Sequence, residues 1–237
     1  MQLKNKTLSV MQPTFIPGIG YFHLINLSDI FIIYDDTQLV RRSWQLRNRI
    51  KTNNGELYLS IPVKKSETRD NLIIKKAEIN YENIDWKKKH LKSIFQSYCK
   101  SPFFETIFPL VKKFYDKSPK YLVEITIPII ISISNLLGIK TKILFSSDIT
   151  YNGKKEMALI SMCKKLKASD YISVKGSMNY ILNNQEIFYK NNINLIWHEF
   201  DHPKYNQLYN NFLPYMGIID ALFNIGIEET SKLIQKK

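Results

Sequence analysis

The sequence predicts an α/β fold with three layers, in which a mainly parallel sheet carries a β-hairpin and a helical insertion. Two observations support the sheet: short apolar runs alternate with helical patterns near the start of the chain, and this alternation returns after residue 142. Such alternation is typical of a parallel sheet with helices on its faces. Between these parts a helical pattern extends over about 85–137. We therefore predict a single domain over residues 1–237, with the middle helices inserted into the sheet.

The elements of the first half are predicted from apolar spacing and turn residues. Apolar runs indicate buried strands over Leu8–Gln12 and Ile30–Asp35, with a short helix over Tyr21–Leu27 between them. The segment Asn48–Val63 has the pattern of a β-hairpin, because its Asn-Asn-Gly turn supplies the positive φ angles that a tight hairpin requires. Ile73–Ile79 is a candidate further strand.

The remaining elements follow from helical periodicity and its later return to alternation. Asp85 fits the N-cap of a helix with an apolar stripe, and Gly138 fits the end of the last inserted helix. After the first of these helices, the pattern predicts further helices over Phe103–Tyr115, Lys120–Leu137, Lys154–Lys167, Met178–Tyr189, Ile218–Phe223 and Ile227–Gln235. It predicts further strands over Lys142–Phe145, Tyr171–Val174 and Leu195–Phe200.

Composition limits the class of protein. Hydrophobic residues make up 44% of the chain, which is enough for a sizeable core. No run of about 18 apolar residues is present, which predicts no membrane span, and the first residues lack the apolar region of a signal peptide. Cys99 and Cys163 have no metal-ligand spacing around them and indicate reduced thiols. We therefore expect a cytoplasmic protein.

The chain is strongly basic, with a formal net charge of +13 and a pI near 9.5. A basic balance is compatible with nucleic acid, a membrane surface or anionic small molecules as partners. Because the lysines are scattered along the chain, most of this charge is predicted to be a solvated surface. No recognised nucleic-acid-binding module is present, so an anionic small molecule is the favoured partner and nucleic acid is not.

The segment Gly18–Phe22 after the first strand invites comparison with phosphate-binding loops. It lacks both GxGxxG and GxxxxGK[ST], so neither nucleotide fingerprint is met. The order strand, QPTFIPGIGY, helix instead resembles the opening of nucleotidyltransferases that carry an H-x-G-H motif, which implies a nucleotidyltransferase-like Rossmannoid sheet. Gly18 and Tyr21 occupy the positions of the two catalytic histidines, and neither residue supplies a cation to a transferring phosphate. The comparison favours the fold and argues against adenylyl or cytidylyl transfer.

Polar residues follow both early strands, and the carboxyl ends of parallel strands are where α/β folds bind ligands. Gln12 and Pro13 follow the first strand, whereas Asp36 and Gln38 follow the second. Asp36 suits a general base, a metal ligand or an acceptor for sugar hydroxyls; an aspartate that only stabilises a turn is the alternative. Gln12, Asp36 and Gln38 are predicted to line one concave site together with Tyr21, and Pro13 is predicted to be one of the ligand-binding residues.

The densest cationic cluster lies in the first strand of the predicted hairpin. Alternation in the segment RNRIK places Arg47, Arg49 and Lys51 on one strand face. Guanidinium groups match phosphate geometry with two parallel hydrogen bonds. We therefore predict that these cations and Asn48 bind a diphosphate or a carboxylate in the same concave site, and a basic surface hairpin without a ligand is the alternative.

His202 is the histidine predicted to act as an acid or base. It follows an apolar strand, beside an aspartate and in a loop that a proline stiffens; a loop-stabilising hydrogen bond is the alternative role. His90 and His198 are predicted to be structural. After a later strand, Gly176 and Ser177 stand at a predicted helix start, where backbone N–H groups suit an anion.

Six segments, in order over nearly the whole chain, together resemble the WbqC-like protein family. They are QPTFIPGIGYF (Gln12–Phe22), the long block from Asp35 to Val63, DWKKKHLKSIFQSYCKSPFF (Asp85–Phe104), DYISVKGSMNYI (Asp170–Ile181), HPKYNQ (His202–Gln207) and IIDALFNIG (Ile218–Gly226). Through the fifth segment, the resemblance adds Tyr205 and Gln207 to the predicted ligand-binding residues.

The resemblance implies a bacterial cytoplasmic protein associated with the biosynthesis of surface polysaccharides such as O-antigen. It suggests a transferase that modifies a nucleotide-linked amino sugar by N-acyl or aminoacyl transfer from a suitable donor. In this interpretation Asp36 or His202 is the base, and Arg47 and Arg49 bind phosphate. A non-catalytic ligand-binding or scaffold protein of the same pathway is the alternative, and no cofactor or metal is assigned.

Overall fold

The computed structural model describes residues 5–64, 72–82, 85–174, 176 and 185–235. Its strands are β1 (Thr7–Met11), β2 (Ile30–Ile33), β3 (Arg47–Thr52), β4 (Gly55–Ser60), β5 (Lys142–Phe145), β6 (Asp170–Val174) and β7 (Asn194–His198). Its helices are α1 (Ile19–Leu27), α2 (Trp86–Tyr98), α3 (Phe104–Lys113), α4 (Val123–Leu136), α5 (Glu156–Leu166), α6 (Gln185–Lys190) and α7 (Ile218–Gln235).

The chain groups into two compact units, each built from separate segments. The first unit is formed by Met1–Gln12, His23–Asp35 and Lys140–Asp201. The second unit is formed by Pro13–Phe22, Asp36–Ile139 and His202–Lys237.

The first unit contains a five-stranded parallel sheet in the order β5-β2-β1-β6-β7. β1 pairs with β2 so that Met11 lies opposite Ile33, and with β6 so that Leu8 lies opposite Tyr171. Parallel strands covered on both faces are near-continuous apolar runs, and all of β2 is buried accordingly. With helices flanking the sheet and a separate antiparallel hairpin, the predicted three-layer α/β fold with a mainly parallel sheet is confirmed.

The core of the first unit joins the sheet to α5 and α6. Leu8 and Ile30 of the strands belong to the same buried cluster as Leu159 of α5. Phe188 of α6 stacks on Tyr171 of β6, with ring centroids 5.5 Å apart. Apolar contact of this kind is the dominant stabilising term in such a unit.

The second unit contains the hairpin of β3 and β4. Thr52 lies opposite Gly55, so Asn53 and Asn54 form the turn. Gly55 has a φ of 106°, whereas neither asparagine has a positive φ. The turn therefore ends in a left-handed glycine, as many short hairpin loops do. The predicted hairpin is confirmed, and the glycine alone supplies the positive φ.

The predicted helical stretch of the second unit is confirmed as α2, α3 and α4. Asp85 caps α2, because its Oδ1 accepts a hydrogen bond of 3.0 Å from the backbone N–H of Lys88. At the other end of the chain, α7 is interrupted at Gly226, which has a φ of 76° and a ψ of 180°. This break corresponds to the predicted boundary between two closing helices. This positive φ favours glycine, and a Cβ at Gly226 would also lie 2.7 Å from the ring of Phe103.

Ile73–Ile79 does not form the candidate strand. A short 3-10 helix covers Ile74–Lys76, and only isolated bridges flank it. The buried residues Ile74 and Ala77 are three positions apart, which matches the three residues per turn of a 3-10 helix. The alternation that a strand needs is broken because two lysines, Lys75 and Lys76, stand side by side between these buried positions.

Three expectations concern the remaining parts of the chain. The predicted helix over Met178–Tyr189 is described only from Gln185, where α6 begins, so its start lies outside the described residues. Among the helices that the structure describes, none is both long and apolar enough to cross a bilayer. The single domain with an inserted helical part stays a prediction.

Candidate functional site

One face of the hairpin carries the predicted cations together with aromatic and acidic partners. Residues of β3 alternate, and Arg47, Arg49 and Lys51 share one face. Directly across the ladder from Arg49 and Lys51 lie Tyr58 and Glu56 of β4. We call this set, with Trp44, the cation–aromatic face. It belongs entirely to the second unit.

Two exposed aromatic rings hold the arginines in place. Trp44 and Tyr58 stack with ring centroids 6.3 Å apart and an interplanar angle of 20°. The guanidinium carbon of Arg47 lies 4.7 Å from the centre of the Tyr58 ring, and that of Arg49 lies 5.3 Å from the Trp44 ring. The two rings are 47% and 40% exposed. Stacking of this kind restrains a guanidinium group while its N–H edges can still meet an anion or a flat ligand.

Arg49 is also held by two polar contacts. Its Nη1 donates to Glu56 Oε2 at 2.6 Å, and its Nη2 donates to the carbonyl oxygen of Tyr215 at 3.2 Å. Its Nε is buried and has no acceptor among the residues that the structure describes. Arg47 differs, because within the described part of the chain no carboxylate lies at ion-pair distance from it. Among the three cations of this face, Arg47 is therefore the one most available to an anionic ligand.

Lys51 performs a different task from the two arginines. It is buried, and its Nζ donates to the carbonyl oxygens of Tyr209 and Asn211 at 3.2 and 2.8 Å. Tyr209, Asn211 and Tyr215 have positive φ angles of 67°, 64° and 61°, a conformation that costs free energy for residues other than glycine. All three carbonyls held by Arg49 and Lys51 thus belong to left-handed residues. The two cations fix the loop over 202–217.

Asp220 forms the buried end of the same network. Its carboxylate accepts hydrogen bonds from Tyr98 Oη at 2.7 Å, Tyr205 Oη at 2.9 Å and Gln207 Nε2 at 2.8 Å. Burial raises the pKa of Asp220, and these three donors oppose that rise. Burial likewise lowers the pKa of Lys51, and Asp220 opposes the change. Tyr205 and Gln207, predicted to bind a ligand, lie in this network.

His202 has a fixed tautomer. Its Nε2 accepts from the backbone N–H of Tyr215 at 3.0 Å, so Nδ1 carries the proton and donates to the carbonyl oxygen of Pro203 at 3.0 Å. Burial lowers the pKa of His202, which favours the neutral form of the ring. Both ring nitrogens thus bind backbone groups of the loop over 202–217, and its predicted acid or base role stays a prediction.

A cavity of about 330 Å³ lies at the tip of the hairpin. Most of its lining residues carry a hydroxyl or amide group, and Glu56 belongs both to the cavity and to the cation–aromatic face. Its walls are formed by Thr52, Asn53, Asn54, Glu56, Leu57, Ser93, Gln96, Ser97 and Tyr209. Neutral hydrogen-bonding groups around one carboxylate suit the hydroxyl groups of a sugar.

Other predicted site residues of the second unit are placed as follows. Asn48 is buried, and its Nδ2 donates to the carbonyls of Phe15 and Ile16 at 3.1 and 2.7 Å, which ties β3 to the loop before α1. Tyr21 is buried in α1, and burial raises its pKa. Pro13 is also buried; Asp36 is half-buried in a turn, and Gln38 is exposed. Whether Tyr21, Asp36 and Gln38 share a site with the arginines stays a prediction.

In the first unit, the predicted residues lie at the carboxyl ends of the strands. Gln12 directly follows β1, beside the end of β2, where the N–H of Tyr34 donates to the carbonyl of Met11 at 2.8 Å. Gly176 lies just beyond β6 and is exposed. Ser177 lies outside the described residues.

The sequence analysis missed a pair of buried histidines in the first unit. His23 Nδ1 lies 2.8 Å from Nε2 of His198, and both rings pack on Phe200. His198 is buried, in agreement with its predicted structural role, and His23 is buried beside it. Within the described residues, no cluster of three or more His, Cys, Asp or Glu side chains is arranged to hold a metal ion.

Trp44, Glu56, Tyr58 and Asp220 were also missed. The hairpin register could have revealed two of them, because a turn at Asn53 and Asn54 sets Tyr58 and Glu56 opposite Arg49 and Lys51. No local pattern marks Trp44, which precedes the hairpin, and none marks Asp220, whose partner Tyr98 is 122 residues away.

Comparison with known proteins gives two matches. A family model described as the WbqC-like protein family matches residues 12–232. The chain is also similar to the uncharacterized protein Rv1507c of Mycobacterium tuberculosis, with 31% identity over 225 residues that cover 94% of this chain and 95% of that protein. No solved structure matches the chain.

Proposed function

Because this chain belongs to the WbqC-like protein family, we propose that it acts in bacterial surface-polysaccharide biosynthesis by binding a nucleotide-linked sugar and transferring a group to it. Family membership supports the pathway, as the resemblance noted in the sequence already implies. The cation–aromatic face supports the ligand class. The further identification of the ligand as an amino sugar rests on the family's association with O-antigen synthesis.

The observation that carries this proposal is the pairing of arginines with exposed rings. Arg47 lies over Tyr58, and Arg49 lies over Trp44. A diphosphate would bind the N–H edges of the arginines, which are planar donors suited to phosphate. A nucleobase would stack on the exposed rings. The sugar would extend toward the hydroxyl- and amide-lined cavity that shares Glu56 with this face.

The reaction we favour is N-acyl or aminoacyl transfer. The amino group of the sugar attacks the carbonyl carbon of an activated donor, a base accepts the proton from nitrogen, and the activating group of the donor departs. We assign the base to Asp36 or His202, and general base catalysis typically contributes about 10²–10⁴-fold to the rate. The donor would be an acyl or aminoacyl compound.

A second candidate function is a non-catalytic ligand-binding or scaffold role in the same pathway. One observation favours it: each ring nitrogen of His202 binds a backbone group, with Nε2 accepting from Tyr215 and Nδ1 donating to Pro203. A histidine with both ring nitrogens bound to the backbone stiffens a loop, and the imidazole itself neither gains nor loses a proton. Product formation separates the two functions, whereas ligand binding is common to both.

Calorimetric titration tests the binding step. The ligands are a UDP-linked N-acetylhexosamine, UDP, inorganic diphosphate and the free sugar, each titrated into the wild type and the Arg47→Ala variant. We expect the nucleotide-linked sugar to bind most tightly and Arg47→Ala to lose about 30-fold in affinity, which corresponds to about 2 kcal/mol. The exposed Arg41, outside the face, provides the matched control Arg41→Ala. No binding of any nucleotide, or equal affinity in Arg47→Ala, would refute the proposal.

Mass spectrometry of the sugar tests the transfer step. The protein is incubated with a UDP-linked amino sugar and either an acyl thioester or an aminoacyl donor. Asp36→Asn and His202→Gln are then compared with the wild type at equal folded concentration, and we expect one of them to lower turnover by about 10²–10⁴-fold. Tight ligand binding with no modified sugar would select the scaffold role.

A further inference from the structure

A second cavity lies far along the chain from the hairpin residues, between α3 and α4 of the second unit. Its volume is about 420 Å³, within the range of small-molecule pockets. Most of its walls are apolar, and they are formed by Leu110, Lys113, Phe114, Lys117, Pro119, Glu124, Ile125, Pro128, Ser132, Ile133 and Leu136. We call this cavity the α3–α4 groove.

The α3–α4 groove is polar at one end and apolar along the rest. Lys113, Lys117 and Glu124 lie at or near the connection between the two helices. Glu124 is held there, because its Oε2 accepts from the backbone N–H of Tyr121 at 2.8 Å. The lining at this end therefore includes two lysines and one glutamate, which gives it a net positive formal charge. Farther along α4, the lining changes to Pro128, Ser132, Ile133 and Leu136.

The length of the groove follows from helix geometry. Glu124 and Leu136 lie at opposite ends of the lining on α4, and a rise of about 1.5 Å per residue separates them by about 18 Å. Pro128 lies in the middle of this stretch and cannot donate the usual backbone hydrogen bond, so α4 is less constrained beside the groove. An elongated ligand matches this length better than a compact one.

We propose that the α3–α4 groove binds a single saturated acyl chain that ends in a carboxylate. The chain would lie along the apolar walls of Ile133 and Leu136, and the carboxylate would meet the ammonium groups of Lys113 and Lys117. Such a ligand matches both the length of the groove and its change from charged to apolar. This site is independent of the hairpin and of the function proposed for it.

A homologous series of carboxylates tests the proposal. Hexanoate, octanoate, decanoate, dodecanoate and hexadecanoate are titrated into the full chain below their micellar concentrations. We expect the affinity to rise about four-fold per buried methylene, equivalent to about 0.8 kcal/mol, until the groove is filled, and then to level off. Affinity that does not depend on chain length would overturn the proposal. So would the absence of binding across the series, which is the result expected if the groove accepts only a helix of a partner protein.

Variants of the lining distinguish binding in this groove from non-specific hydrophobic binding elsewhere on the protein. Ser132 is exposed at the rim, so Ser132→Trp fills the groove with little effect on folding, and we expect at least a ten-fold loss of dodecanoate affinity. If Ser132→Trp fails to fold by circular dichroism, Leu136→Glu serves as the second variant, with the same expected loss. Wild-type affinity in a folded variant would overturn the proposal.

The charged end is tested with a ligand that lacks the charge. The double variant Lys113→Glu with Lys117→Glu should lower the affinity for dodecanoate by at least ten-fold. Its affinity for dodecanol should be almost the same as that of the wild type. Lys112→Glu is the matched control, since Lys112 is an exposed neighbour on α3 that does not line the groove. If the double variant loses affinity for the acid and the alcohol equally, the role of the two lysines is refuted. It is also refuted if the control variant loses as much affinity for dodecanoate as the double variant.

Discussion

Replacement of Lys51 by methionine distinguishes a ligand-binding lysine from one that holds a loop. Methionine keeps the apolar stem of the side chain and removes the ammonium group. Lys51 is 2% exposed and donates to the carbonyls of Tyr209 and Asn211. Because both of those residues have left-handed backbones, the loop should relax when these hydrogen bonds are lost.

The magnitude follows from the number and kind of the bonds. A hydrogen bond to a charged group contributes about 1.5–3 kcal/mol, but Tyr209 and Asn211 are themselves exposed and their carbonyls regain water after the change. We therefore expect Lys51→Met to lower the free energy of unfolding by about 3 kcal/mol for the pair of bonds. For a chain of this size the melting temperature should fall by roughly 6–12 °C.

Thermal unfolding and anion titration are measured on the same preparations. The matched control is Lys92→Met, because Lys92 is an exposed lysine of α2. If Lys51 holds the loop, the melting temperature of Lys51→Met falls. At a temperature well below the melting transition, the variant should then bind diphosphate with the affinity of the wild type. A Lys51→Met protein with wild-type stability and no diphosphate binding would refute this reasoning and assign Lys51 to the ligand.

Three further predictions concern single groups of the second unit. Burial lowers the pKa of His90 from its ordinary value of 6.5 to about 4; the neutral ring is favoured in the fold, so stability should be full above about pH 6.5 and fall by about 3 kcal/mol toward pH 4. Urea unfolding across this range measures the effect, and an unchanged pH slope in His90→Phe would contradict it. Glu56→Gln should strengthen diphosphate binding about three-fold, because it removes the carboxylate that occupies Arg49; calorimetry that shows weaker binding would count against the site. Gly217→Ala should cost about 1–3 kcal/mol, because its Cβ would lie 2.9 Å from the carbonyl oxygen of Ile16; a urea midpoint equal to that of the wild type would show that the loop adjusts freely.

The parallel sheet and the hairpin were predictable because local patterns encode them. Apolar runs such as the one in β2 occur where both faces of a strand are covered. The Asn-Asn-Gly turn set the hairpin, and alternation placed Arg47 and Arg49 on one face. The segment Ile73–Ile79 was wrongly predicted to be a strand because its buried residues Ile74, Ala77 and Ile79 are separated by three and then two positions. So short a pattern does not distinguish a strand from a 3-10 turn.

The sequence by itself determined the fold class, the family and the hairpin strand that carries the arginines. Only the tertiary structure decided what each cation contacts. The carbonyl of Tyr215 that Arg49 binds is 166 residues away in the chain, and Asp220 lies 122 residues from Tyr98. Periodicity reports which face of a strand a side chain occupies, and it contains no information about which distant segment covers that face. Lys51 and Arg47 therefore look alike in the sequence, although one is buried under a loop and the other lies against an exposed ring.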